Sequence, residues 1–152
     1  MKKTKIAFIG FCLFLVIFFI MYKMGEKDKI IEDKLLRNNV ELKGIIKSFK
    51  ISNNHCFAII YLENIECNIS SFNPETKRRF FPYAINKKQS EIYTHICELE
   101  SKEIGDTLEL ISNDFKIKMY NKVNKERIEK ELYMITEEYD IKYIKKNSIL
   151  FK

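Results

Sequence analysis

The chain opens on one unbroken apolar run and then changes period. From Ile6 to Tyr22 no residue is charged, while Lys2, Lys3 and Lys5 precede the run and Lys23, Glu26, Lys27 and Asp28 follow it. At 1.5 Å per residue the run makes about 25 Å of helix, the short end of what crosses a bilayer core of roughly 30 Å. Residues 1–23 are therefore expected to form a transmembrane signal anchor that meets the membrane through residues 6–22. Cleavage is disfavoured, because the exit Ile20-Met21-Tyr22-Lys23 offers no pair of small residues. Lipid modification of Cys12 is disfavoured as well, with bulky Phe11 before it. Residues 24–39 keep a helical pattern, Ile31 and Leu35 lying four apart, and Asn38-Asn39 is a natural stop. This predicts a helical stalk, weakened or kinked at Gly25.

From Val40 onward, apolar and β-branched residues recur in short runs separated by turn residues, the pattern of strands. Val40 to Ile51 contains Gly44, which marks a bulge or a sharp coil. Cys56 to Leu62 and Ile65 to Ser71, with Glu63-Asn64 as a two-residue turn, complete a three-strand meander. Asn73-Pro74 combines a capping residue with a first-turn proline and predicts a short helix ending by Pro82. After a polar loop at Asn86 to Ser90 come strands at Glu91 to Leu99, Thr107 to Ser112 and Phe115 to Tyr120. The last two form a hairpin about Asn113-Asp114, with Phe115, Ile117 and Met119 alternating with Lys116 and Lys118. Asn124 is placed to cap a C-terminal helix whose stripe of Ile128, Leu132, Ile135 and Tyr139 should bury on the sheet. Ile141 to Lys152 reads as an edge strand or a loose tail. Residues 40–152 are thus expected as one α+β, mostly β domain: a small OB-like or SH3-like, partly closed barrel with a C-terminal amphipathic helix. On Gly44-Ile45-Ile46 and Ile104-Gly105-Asp106-Thr107, residues 40–121 resemble a group of small, N-terminally anchored bacterial β-domain proteins. That resemblance implies no established activity.

Charge narrows the function. The formal net charge is +6, but residues 1–29 hold +4 of it, leaving +2 for the rest of the chain. A protein that grips nucleic acid devotes many unneutralised cations to phosphates, so nucleic acid is not the expected partner. The flanks of the apolar run are nearly balanced in lysines. A five-residue N-terminal tail is the usual form of an anchor with its short end in the cytoplasm, and on that precedent the domain is expected outside the cytoplasmic membrane of a bacterium.

The candidate chemistry is sparse. Lys77, Arg78, Arg79, Phe80, Phe81 and Tyr83 interleave cations with aromatics, the mixture that grips polyanions or a partner surface. The opposing reading is a short surface helix with solvated cations and docked phenylalanines. Cys56, Cys67 and Cys97 read as buried thiols or as one disulfide between strands that meet around the barrel. The assumed meander sets Cys67 against Ile60 and Cys56 against Ser71, so a Cys56–Cys67 bond is disfavoured. His55, His95 and the cysteines lack metal-binding spacing, and no nucleophile motif or phosphate-cradling loop is present. The expectation is a membrane-tethered, non-enzymatic domain without cofactor or metal that binds a protein partner at the cell envelope. The alternative is an OB-type binder of single-stranded nucleic acid or oligosaccharide.

Overall fold

The computed structural model describes residues 2–53, 55–76, 79–86, 88–97 and 103–151, with side chains from Gly10 onward. The chain divides into two compact units, Met1–Leu35 and Leu36–Lys152. The first is one helix, α1 (Lys2–Leu36), continuous through Gly25 and ending just before Asn38-Asn39, where Asn39 turns to a left-handed φ of 59°. Among the described residues no helix is long and apolar enough to cross a membrane. The transmembrane anchor expected over residues 1–23 is therefore not met by α1 as described: the helix is present but not apolar enough for a span.

The second unit is a mixed α+β, mostly β domain. Its strands are β1 (Glu41–Ile51), β2 (Phe57–Cys67), β3 (Ser71–Phe72), β4 (Tyr83–Asn86), β5 (Gln89–His95), β6 (Thr107–Ile111), β7 (Lys116–Tyr120) and β8 (Arg127–Glu131), followed by helix α2 (Glu138–Asn147). They form one antiparallel sheet in the order β3-β4-β5-β2-β1-β6-β7-β8. The expected barrel is corrected: the sheet is not closed. An isolated bridge between Phe80 and Ile135 links the segment entering β4 with the segment leaving β8.

Three local readings change for physical reasons. Glu63-Asn64 is a bulge within a single long β2, not a turn. The register steps from Lys43↔Glu66 to Ile45↔Glu63, and Asn64 takes a φ of 51°. Asparagine tolerates the left-handed region in turns and bulges alike, so the sequence signal is the same for both. Opposite lies Gly44, where a Cβ would meet the Leu62 Cβ at 3.2 Å. The segment opening at Asn73-Pro74 is a tight loop rather than a helix. Asn73 Oδ1 accepts from the Glu75 N–H at 2.9 Å, Thr76 Oγ1 accepts from the Arg79 N–H at 2.9 Å, and Glu75 bridges Phe80. The C-terminal helix starts at Glu138 and not near Asn124. Arg127–Glu131 is instead strand β8, paired to β7 as Met119↔Ile128 and tied by Lys116 to Glu129 at 2.8 Å. Leu132 and Ile135 of the expected stripe are buried, while Tyr139 is exposed.

Gly105-Asp106 is the expected turn before β6, and it needs its glycine. Gly105 has a φ of 95°, and the buried Asp106 carboxylate accepts from the backbone N–H groups of Glu103 and Lys122, each at 3.0 Å. The core under α2 joins Phe57, Ile59, Phe80, Ala84, Tyr93, Ile135 and Ile144, with Tyr61, Tyr143 and Phe151 packed around them.

Candidate functional site

The cation–aromatic segment does not present its rings outward. Phe80, Phe81 and Tyr83 are buried. Phe80 packs on Tyr93 and Phe151, Phe81 meets Phe72 edge-on at 4.8 Å, and the Tyr83 hydroxyl donates to Asn38 Oδ1 at 2.8 Å. Burial holds the Tyr83 hydroxyl up at about 12 against that hydrogen bond. Arg79 is described as part of the Thr76 loop, and Lys77 and Arg78 lie outside the described residues. The docked phenylalanines match the reading that opposed a binding surface there, although no helix carries them.

Chemistry gathers instead where α2 crosses β2 and β5. Antiparallel pairing of these strands ends at Phe57↔His95, and the Ile96 N–H reaches the Cys56 carbonyl at 3.0 Å. The chain beyond that point sets Cys56 and Cys97 with Cα atoms 5.2 Å apart, joined as a disulfide. Cys67 lies at the far end of β2, opposite Leu42, and it is free. Of the two readings of the cysteines, the disulfide is therefore realised, between neighbouring strands of an open sheet.

Beside the disulfide stands His95. Its Nδ1 lies 2.6 Å from the Tyr133 hydroxyl, its Nε2 lies 3.5 Å from Asp140 Oδ2, and its carbonyl accepts from the Lys130 ammonium. Asp140 belongs to the first turn of α2 yet is buried, and its Oδ1 has no hydrogen-bond partner among the described residues. Burial, eased by His95, holds its carboxyl above the ordinary range. Among the described residues no group of three His, Cys, Asp or Glu can hold a metal ion. This set places the first turn of α2 against the end of β5, beside the disulfide.

A second polar set fixes the other end of α2. The buried Glu91 carboxylate accepts from the Tyr93 hydroxyl at 2.7 Å, the Ser148 hydroxyl at 2.5 Å and the backbone N–H groups of Ile149 at 2.7 Å and Leu150 at 3.3 Å. Tyr61 donates to the Asn147 carbonyl at 3.0 Å. Burial first and then the Glu91 carboxylate push Tyr61 up to about 12, and the same two causes raise Tyr93 further. These tyrosines are neutral hydrogen-bond donors at physiological pH.

With both ends pinned, α2 and the end of β1 enclose an open groove of about 420 Å³. Lys50 and Ile51 form one wall, and Tyr139, Lys142, Tyr143 and Lys146 form the other. A depression of similar size on the strands β2, β1 and β6 is of mixed charge, with Glu41, Glu66 and Glu109 beside Lys43. The sequence pointed to neither groove, because the basic one exists only once α2 is placed at Glu138–Asn147. The one available signal was the repeat of aromatic and lysine at Tyr139, Lys142, Tyr143 and Lys146, which reads as one face at helical spacing.

No family model, no curated protein and no solved structure matches this chain.

Proposed function

We propose that the chain is a non-enzymatic binding domain, tethered to a bacterial cytoplasmic membrane by its N-terminal apolar run and displayed on the outer side, where it contacts a protein partner. The observation that carries this reading is the Cys56–Cys97 disulfide. Such bonds persist in oxidising compartments and are rare where thiols are kept reduced. The uncharged run Ile6 to Tyr22 supplies about 25 Å of helix, enough to span a bilayer at the short end of the range. The alternative is an OB-type binder of single-stranded nucleic acid or oligosaccharide, for which the rings after Arg79 would supply stacking faces. With Phe80, Phe81 and Tyr83 buried, those rings offer no faces for stacking.

The test is thiol labelling of intact cells with a membrane-impermeant maleimide polymer. Cys67 should label directly from outside, and Cys56 and Cys97 only after a reductant is added. Intact mass of membrane-extracted protein should retain the apolar run. Labelling of all three only after lysis, with no reductant needed, would place the domain in the cytoplasm and remove the reading.

A further inference from the structure

We infer that the groove between the end of β1 and α2 docks an extended acidic peptide segment that alternates carboxylates with apolar residues, contributed by the protein partner proposed above, on which reading this assignment of the surface rests. Lys50, Lys142 and Lys146 bring three ammonium groups to one groove with no carboxylate in its lining among the described residues. One turn before Lys142 on α2 stands Glu138, which accepts from Lys142 at 2.7 Å, while Asp140 between them is buried on the side of His95. Both side chains of that pair are largely in solvent, at 72% and 83% exposure, and such pairs contribute little. A partner's carboxylate can therefore replace Glu138 at small cost.

Spacing selects the conformation of the occupant. Lys142 and Lys146 lie four residues apart on α2, an axial rise of about 6 Å. Alternate side chains on one face of an extended peptide repeat at about 6.6 Å, so residues i and i+2 of a strand-like segment can each reach one lysine. The residue between them then points to the opposite wall, where Ile51 is 56% exposed. A bare polyanion would meet the lysines and leave that apolar wall wet. Single-stranded nucleic acid stacks its bases on successive aromatic faces, but of the two tyrosines here only Tyr139 is open. Tyr143 is packed edge-on against Phe57, with ring centroids 6.3 Å apart. Both walls are fixed before binding, β1 by its pairing to β2 as far as Ile51↔Ala58 and α2 by the Glu91 and Asp140 contacts. A preformed groove spares the partner that ordering cost.

The probe is a fluorescein-labelled peptide of alternating glutamate and leucine, titrated by anisotropy against the full chain in nonionic detergent. The same peptide with glutamine for glutamate, a sulfated glycan and oligo-dT are the comparisons. The acidic peptide should bind with an affinity that falls as salt is raised, and the glutamine peptide should not bind. Lys142→Gln and Lys146→Gln should each weaken binding about fivefold, since an exposed ion pair contributes at most about that factor. Ile51→Ser should weaken it further, and Lys116→Gln, on β7, should not. Circular dichroism and an unreactive Cys56–Cys97 pair verify that each variant is folded. Absent binding of the acidic peptide, or binding indifferent to Lys142, Lys146 and Ile51, overturns the proposal. So does tighter binding of the glycan or of oligo-dT that is lost with the lysines but not with Ile51, which would assign the groove to a polyanion. A cytoplasmic result in the thiol-labelling experiment would remove the envelope location and leave this titration unchanged, so the two failures are separable.

Discussion

The two halves of the sheet solve the same burial problem differently. In β2 and β5 successive residues are buried, Phe57, Ala58, Ile59 and Ile60 on one and Ser90 through Thr94 on the other, because both faces of these strands are covered. In β6 and β7 only alternate residues are buried, Leu108 and Leu110 on one and Ile117 and Met119 on the other. A strand covered on both faces has nowhere dry to hide a polar side chain, so each one it carries must be satisfied by whatever covers it. Glu91 is satisfied by the end of α2, whereas Ser90 Oγ and Thr94 Oγ1 find no partner among the described residues. The half covered on one face turns its charges to solvent as a ladder, with Lys118 near Glu109 and Lys116 on Glu129, and ends in β8, whose alternating charges protect an exposed edge. The disulfide, the Glu91 and Asp140 carboxylates and the basic groove fall in the doubly covered half. There, any contact with α2 is also a contact with a wall of the groove.

If that half depends on its staples, the largest loss should come from the disulfide. Cys56 and Cys97 are 41 residues apart, and opening a loop of that length should cost about 4 kcal/mol on the chain-entropy account. Replacing both with serine and following urea unfolding of the extracted chain measures it. An unchanged midpoint would show that β2 and β5 stay registered without their covalent tie, and the contrast between the halves would lose its main support.

Glu91 comes next. Glu91→Leu would remove the shared acceptor of the Ser148 and Tyr93 hydroxyls, leaving those two only each other at 3.4 Å, and would strand the N–H groups of Ile149 and Leu150. Leaving buried donors unsatisfied costs about 1–3 kcal/mol each at most and does not add in full, so a loss of about 3 kcal/mol is expected. Hydrogen exchange should show α2 opening before β6 and β7. Uniform exchange across both halves would mean that the helix is not held by this carboxylate.

How much of this could be read in the sequence follows the same division. Where one face is wet, the alternation of Lys116, Ile117, Lys118 and Met119 announced β7, and the Gly105-Asp106 turn announced β6. Where both faces are dry, period carries no information: β2 was divided at Asn64, because a left-handed asparagine marks bulge and turn alike. Leu132 and Ile135 belong to the core, as their apolar spacing predicts, but they lie between β8 and α2 rather than on a helix. Ile128, Leu132 and Ile135 have helical spacing, and only the pairing of Arg127–Glu131 with β7 overrides it. Helix α2 carries no continuous apolar stripe, because one of its buried positions is Asp140. The Cys56–Cys97 pair could not be inferred without the β2–β5 register, and the basic groove could not be inferred without α2.

Leu132 sharpens the comparison from the other side, since it follows β8 and its N–H is bound by the Phe115 carbonyl at 2.7 Å. Buried at 3% exposure, it should lose about 2 kcal/mol in Leu132→Ala, the low end for such truncations because a site near the strand end can partly collapse. The loss should appear without release of α2. Parallel loss of helix protection in hydrogen exchange would join the two halves into one cooperative unit.

The smallest effect is expected at Asp140, and its sign is the informative part. A carboxyl whose folded pKa is raised above its ordinary value of 3.8 binds its proton more tightly in the folded state. Stability from this group is therefore greatest at low pH and falls as pH climbs from the ordinary value through the raised one. At neutral pH the charged carboxylate is 2% exposed, with no partner for Oδ1 among the described residues and Oδ2 no closer than 3.5 Å to His95. Its place in the first turn of α2 offsets part of that cost, since a negative charge there gains about 0.3–1 kcal/mol from the helix dipole. An unsatisfied buried polar group costs about 1–3 kcal/mol, so burial should prevail. Asp140→Asn should stabilise the domain by about 1 kcal/mol at pH 7, and the advantage should vanish below the ordinary aspartate value, where both side chains are neutral. The measurement is urea unfolding of parent and variant across that pH range. If Asp140→Asn instead destabilises at neutral pH and not in acid, the carboxylate is held by a charged His95, and the contact beneath the groove is an ion pair that keeps α2 in place.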